Sequence, residues 1–162
     1  MRFGDRTQTI GWIVLLAAAV RLAYVLAYPQ VPLESEAEGY DVVSRRFVAG
    51  QGFPAWDPST QEISKPPLYI LFVSGIYAAV GSQPQAVRIT QAMAGALIPA
   101  LAYWLSLLAG LARRQAAWAA LLCALLPSLV IYTGGLYVET LLTFCASSAL
   151  SGPVFVRNID SK

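Results

Sequence analysis

KPPLYILFVSGIYAAV, residues 65–80, is apolar from Pro67 onward and carries no charge after Lys65. Whether this segment crosses a membrane sets the side on which every later segment lies. A helix rises about 1.5 Å per residue, so about 14 residues extend about 21 Å, short of a hydrocarbon core about 30 Å thick. The proline pair suits a helix start, because the ring fixes φ and the missing N–H is not needed in the first turn. We therefore expect a helix over Pro67 to Val80 that lies along the interface and does not span.

Four other segments are long enough to span: residues 10–28, 87–111, 116–132 and 136–156. Short cytoplasmic loops are enriched in Lys and Arg, whereas acidic residues contribute little to orientation. With segment 67–80 lying flat, Arg2, Arg6, Arg113, Arg114, Arg157 and Lys162 all fall inside, and Glu139 falls outside. If it crossed, Arg113 and Arg114 would face outward. The expected architecture is all-α and integral to the membrane: about four transmembrane helices plus juxtamembrane helices in the first outer-face loop. One transmembrane domain covers residues 1–162, with that loop at about 29–87.

Composition agrees with this solvent. The 162 residues are 57% hydrophobic and 12% charged, against about a quarter charged in a soluble domain. The net charge of +2 is spread along the chain, which gives no footprint for nucleic acid. Cys123 and Cys145 lie in apolar runs without metal-ligand spacing, and read as buried apolar residues. Ala92, Ala96 and Ala100 repeat every four residues, a pattern that lets helices pack closely in lipid.

The first loop holds Glu34, Glu36, Glu38, Asp41, Asp57 and Glu62, most of the chain's 9 acidic residues. Ser35-Glu36-Ala37-Glu38 has the form of a capping box, so a helix is expected to begin there. Tyr40, Val43 and Phe47 would give it an apolar face to set on the membrane, with Asp41, Ser44 and Arg45 elsewhere. Glu36 falls in the first turn, where free amides and the helix dipole favour its ionised form. Lys65, at headgroup level, is placed to hold a phosphate as a point charge or to snorkel to anionic lipid. Glu139, in Gly134-Gly135-Leu136-Tyr137-Val138-Glu139-Thr140, is a carboxylate beside an apolar run, and such groups mark functional sites. Arg21, inside the first span, is expected either to snorkel toward the outer headgroups or, slightly favoured, to pair with an acidic residue on a neighbouring helix.

The order of these features is more specific than any one of them. After an amino-terminal helix come Glu36 four positions before Tyr40, a helix closing in Ala49-Gly50-Gln51-Gly52-Phe53, then Lys65-Pro66-Pro67-Leu68-Tyr69. An Ala-rich helix ending in Arg113-Arg114 and a Gly135-Leu136-Tyr137-Val138-Glu139 turn follow. The set resembles the GT-C class of membrane glycosyltransferases, in particular the group with protein O-mannosyltransferases and the lipid A aminoarabinose transferase. The resemblance covers about residues 10–150, and members of the class run to several hundred residues, so the chain is expected to be an amino-terminal part.

By that resemblance, Glu36 holds the position of the first-loop catalytic base or acceptor-orienting carboxylate, and Glu139 that of the second outer-face acid. Lys65 matches the basic residue that sits near a phosphate, and Tyr40 and Arg21 complete the candidate substrate-binding set. The first-loop acid is more often Asp in the class, and Ser64 stands where some members carry an acidic metal ligand. The implied reaction moves a hexose or pentose from a polyprenyl-phosphate donor to a hydroxyl on a glycan, lipid or protein, at the periplasmic or extracytoplasmic side of the cell (inner) membrane. Glu36 and Glu139 are the residues that would hold a divalent metal ion, since carboxylate oxygens suit hard cations. No Gly-rich nucleotide fingerprint is present, in keeping with a donor that is not a nucleotide sugar. The alternatives are a fragment of a multi-helix transporter, which would place charge at the midplane on broken helices, or a non-catalytic membrane protein.

Overall fold

The computed structural model describes residues 4–28, 36–53 and 65–159, with the side chains of 8–28, 36–53 and 65–151. Every regular element among them is helical: α1 (Gly4–Ala27), α2 (Glu36–Val48), α3 (Pro67–Val80), α4 (Pro84–Ala96), α5 (Ile98–Leu108), α6 (Arg113–Leu125), α7 (Pro127–Ile131), a 3₁₀ turn (Tyr132–Gly134) and α8 (Val138–Ile159). Segment 65–80 folds as its prolines dictate. Helix α3 opens on Pro67 and closes at Gly81, whose amide donates to the Tyr77 carbonyl at 2.9 Å with φ at +86°. A side chain is strained at that φ, so glycine ends the helix at little cost.

The next contact brings the start of α4 beside the end of α1. Gln85, in the first turn of α4, donates from Nε2 to the Val25 carbonyl at 3.1 Å, one turn from the end of α1. Had α3 crossed, α4 would begin at the opposite end of the bundle. Instead α2 and α3 form an excursion that leaves and returns to one end. From there α4 and α5 run back along α1. Ala96 and Tyr103 share a core with Ile13 and Ala17 of α1 and with Ala116, Ala120 and Ala124 of α6. Ala92 and Ala96 are buried, so two of the three small residues at four-residue spacing do line helix contacts.

By length and apolarity, Gln8–Ala27 and Pro84–Leu108 can each cross a membrane, and Arg113–Leu125 with Pro127–Gly134, bent by 50° at its break, has the length and apolarity of a broken span or a re-entrant loop. The chain is a multi-pass membrane protein. Helix α8 occupies the fourth expected position, but its apolar described portion, Val138–Ser151, is shorter than those spans. Proline explains both interruptions. Pro99 and Pro127 carry no amide hydrogen, so each removes one rung of the helix ladder. At the first break Leu97 bonds back only three residues, to the Ala94 carbonyl at 3.1 Å. At the second, Leu126 adopts extended backbone, with ψ at 117°.

The bend corrects the expectation for Arg21. This side chain is fully buried, and its Nη1 donates to the Ala17 carbonyl at 3.3 Å and to the Ala124 carbonyl at 3.1 Å. No acidic residue pairs with it among the described residues. The reason lies two residues from Ala124, where α6 breaks and leaves carbonyls without helical partners. An apolar interior makes an unpaired carbonyl costly, and a guanidinium supplies donors where the ladder cannot. That a broken helix, not a carboxylate, would be the partner cannot be read from Arg21 itself.

Candidate functional site

Helix α2 is fastened to α3 by polar contacts as well as apolar ones. Asp41 accepts from Arg45 Nε at 2.9 Å and from the Tyr77 hydroxyl, and Ser74 Oγ donates to the Ser44 carbonyl at 3.4 Å. Tyr40 and Val43 pack in one core with Tyr69, Ile70, Val73 and Tyr77, with Phe47 at its edge. This corrects the expected placement of α2. Its apolar face meets α3 instead of lipid, and Asp41 and Ser44 are buried with it; the Tyr77 hydroxyl on α3 meets the Asp41 carboxylate, while Ser44 Oγ has no hydrogen-bond partner among the described residues. Ser35, the expected cap, lies outside the described residues; α2 begins at Glu36.

Two of the expected site residues, Glu36 and Lys65, meet at Tyr40. Its hydroxyl donates to Glu36 Oε1 at 3.4 Å, one turn earlier on the exposed start of α2. Lys65 Nζ lies 4.8 Å from the ring centroid, a cation–π contact. The Tyr69 ring meets the Tyr40 ring edge-on at 4.7 Å. Burial, the Glu36 carboxylate and its hydrogen bond, and then the Glu139 carboxylate push the Tyr40 phenol up to about 12. Tyr40 therefore remains a neutral donor across the physiological range, and both carboxylates act on one hydroxyl.

Glu139 reaches this group from the far end of the chain through a tight turn. Gly134 sits against the Tyr24 ring of α1, and Gly135 lies beneath the Tyr137 ring; a methyl at either position would overlap a ring carbon. The turn is tied to α4, where Gln91 Nε2 donates to the Tyr137 carbonyl at 3.2 Å and Gln91 Oε1 accepts from the Tyr69 hydroxyl at 2.8 Å. Helix α8 then starts at Val138, which places Glu139 in its first turn, where the helix dipole favours negative charge. Its Oε2 is buried without a hydrogen-bond partner among the described residues. Because Gly134 has no room for a side chain, Gly134→Ala is expected to destabilise the protein by about 1–3 kcal/mol through overpacking. A lower thermal midpoint in detergent checks it, and an unchanged midpoint would show that Tyr24 moves freely.

Glu36, Tyr40, Lys65 and Glu139 thus share one end of the bundle, while Arg21 is held apart at the break in α6. Sequence reasoning missed Gln91 and Tyr69, which join α3, α4 and the Glu139 turn. A glutamine inside an apolar span was a signal for Gln91, since an amide there needs partners; Tyr69 had none beyond its place after the prolines. No group of three His, Cys, Asp or Glu side chains suited to a metal ion gathers among the described residues. The site chemistry is then a solvent-facing carboxylate beside a cation held on an aromatic face, with a second, inward carboxylate opposite.

A family model described as dolichyl-phosphate-mannose-protein mannosyltransferase matches residues 63–155, more than half of the chain. The match takes in Lys65, Gln91 and Glu139 and begins after Glu36. No curated protein and no solved structure matches.

Proposed function

The chain belongs to the dolichyl-phosphate-mannose-protein mannosyltransferase family, and from that premise we propose that it moves a mannosyl group from a polyprenyl-phosphate donor to an acceptor hydroxyl. The observation that carries this reading is Tyr40, which holds the Glu36 carboxylate at its hydroxyl and the Lys65 ammonium on its ring. Those are the two charges the reaction needs, fixed side by side.

In the proposed step Glu36 takes the proton of the acceptor hydroxyl as its oxygen forms a bond to the anomeric carbon. The bond from that carbon to the phosphate oxygen breaks, and the electron pair leaves on the phosphate. Lys65 stabilises that developing charge as a point cation. Glu139, in the first turn of α8, accepts from the acceptor's hydroxyls and orients it. Tyr40 keeps base and cation in register. Basic residues Arg113 and Arg114 begin α6 at the other end of the bundle, which supports a non-cytoplasmic site under the positive-inside rule. Arg21 takes no part in this reading, because its Nη1 is bonded to the Ala17 and Ala124 carbonyls at the break in α6.

The test is transfer itself. The protein in liposomes, given polyprenyl-phosphate mannose labelled in the sugar and a hydroxyl-bearing peptide or glycan, is expected to label the acceptor and release polyprenyl phosphate. Release that needs no acceptor, or no release at all, would contradict the reading.

A further inference from the structure

Helix α2 carries a glycine, Gly39, inside its second turn, where glycine costs helix stability relative to alanine. A carbon added there would lie 2.9 Å from Lys65 Cε and 3.2 Å from Lys65 Nζ. The same carbon added at Gly11 or Gly75, also within helices, meets nothing within 4 Å. At Gly39 the missing side chain is thus filled by the end of the lysine, which lies between the α2 backbone and the Tyr40 ring.

We propose that Gly39 is a positioning residue: its bare backbone is the seat that holds the Lys65 ammonium over Tyr40, one turn from Glu36. Lys65 is the far end of a flexible chain, so an alanine at 39 displaces it outward without disturbing the packed faces of α2 and α3. The fold keeps its core and gains a better helix former, while the cation leaves its place. Stability and phosphate binding should therefore move in different directions, which a purely structural glycine would not do. That Lys65 meets a donor phosphate rests on the proposed function; that Gly39 places Lys65 does not.

The experiment compares wild type, Gly39→Ala, Lys65→Met and the double variant, each purified in lipid nanodiscs. The first readout is the rate at which an amine-acylating reagent modifies Lys65, followed by mass spectrometry. It is expected to rise several-fold in Gly39→Ala, as the amine leaves the ring for solvent. The second is affinity for polyprenyl phosphate, expected to fall about tenfold in Gly39→Ala and in Lys65→Met, with no further loss in the double variant. The third is the thermal midpoint, expected to be unchanged or higher in Gly39→Ala.

Unchanged acylation and unchanged binding in Gly39→Ala, with binding weakened in Lys65→Met, overturns the role of Gly39 and leaves that of Lys65. Unchanged binding in Lys65→Met overturns the phosphate role of Lys65, while faster acylation in Gly39→Ala still upholds the seat. A lower midpoint in Gly39→Ala without faster acylation makes the glycine structural and sinks the proposal.

Discussion

Glu36→Gln is expected to lower the rate of mannosyl transfer by about 10²- to 10⁴-fold, the range ascribed to a positioned general base. The substitution keeps volume and shape. It also keeps the hydrogen bond from Tyr40, since the amide oxygen still accepts from the hydroxyl that now lies 3.4 Å away. What it removes is the capacity to take a proton. Because Glu36 is exposed and makes no buried ion pair among the described residues, the thermal midpoint should hold, which separates a chemical loss from a folding loss. Donor affinity should hold as well, because the lost contact belongs to the acceptor side. Initial rates at saturating donor, with the midpoint measured on the same preparation, decide it. Turnover like that of wild type would remove Glu36 from the mechanism.

Lys65→Met should cost about 10- to 100-fold in kcat, the size of one charge-assisted hydrogen bond to a leaving phosphate, about 1.5–3 kcal/mol. Methionine retains much of the apolar stem that lies against Gly39 and Tyr40, so the packing change is small. The charge acts most strongly where the phosphate gains negative charge in the transition state, so kcat is expected to fall along with kcat/KM. Lys65→Arg should recover part of the loss. It restores a cation, but its planar fork fits poorly into a seat shaped for a compact ammonium. A rise in KM alone would mean that Lys65 only recruits the donor, and equal loss in Arg and Met variants would mean that charge is not its contribution.

The fold was legible where elementary lengths and charges act alone. Fourteen residues of α3 fall short of a bilayer whatever surrounds them, and the proline pair places the start of that helix without reference to partners. The position of Glu139 after a Gly-Gly turn was legible for the same reason. Readings that depended on a partner fared differently. The burial of Asp41 depends on Tyr77, and that of Ser44 on the packing of α2 against α3, neither of which the sequence places opposite α2. The partner of Arg21 is a carbonyl on α6, more than a hundred residues away along the chain, and only the Pro127 break makes it available. Gly39 reads in sequence as a weak point in a helix. Its use appears only when Lys65 occupies the space beside it.

Everything proposed for the site requires Glu36, Lys65 and Glu139 to face the same side of the membrane. Single cysteines at Gly52, Arg113 and Tyr132, in a background with Cys123 and Cys145 replaced by serine, measure this directly. Gly52 follows α2, Tyr132 opens the turn that leads to Glu139, Arg113 begins α6 at the other end, and all three are exposed. A membrane-impermeant maleimide added to intact cells is expected to label positions 52 and 132, and to reach 113 only after the membrane is opened. Labelling of 113 together with 52, or of 132 from the side opposite to 52, would place the two carboxylates on different faces and contradict the account.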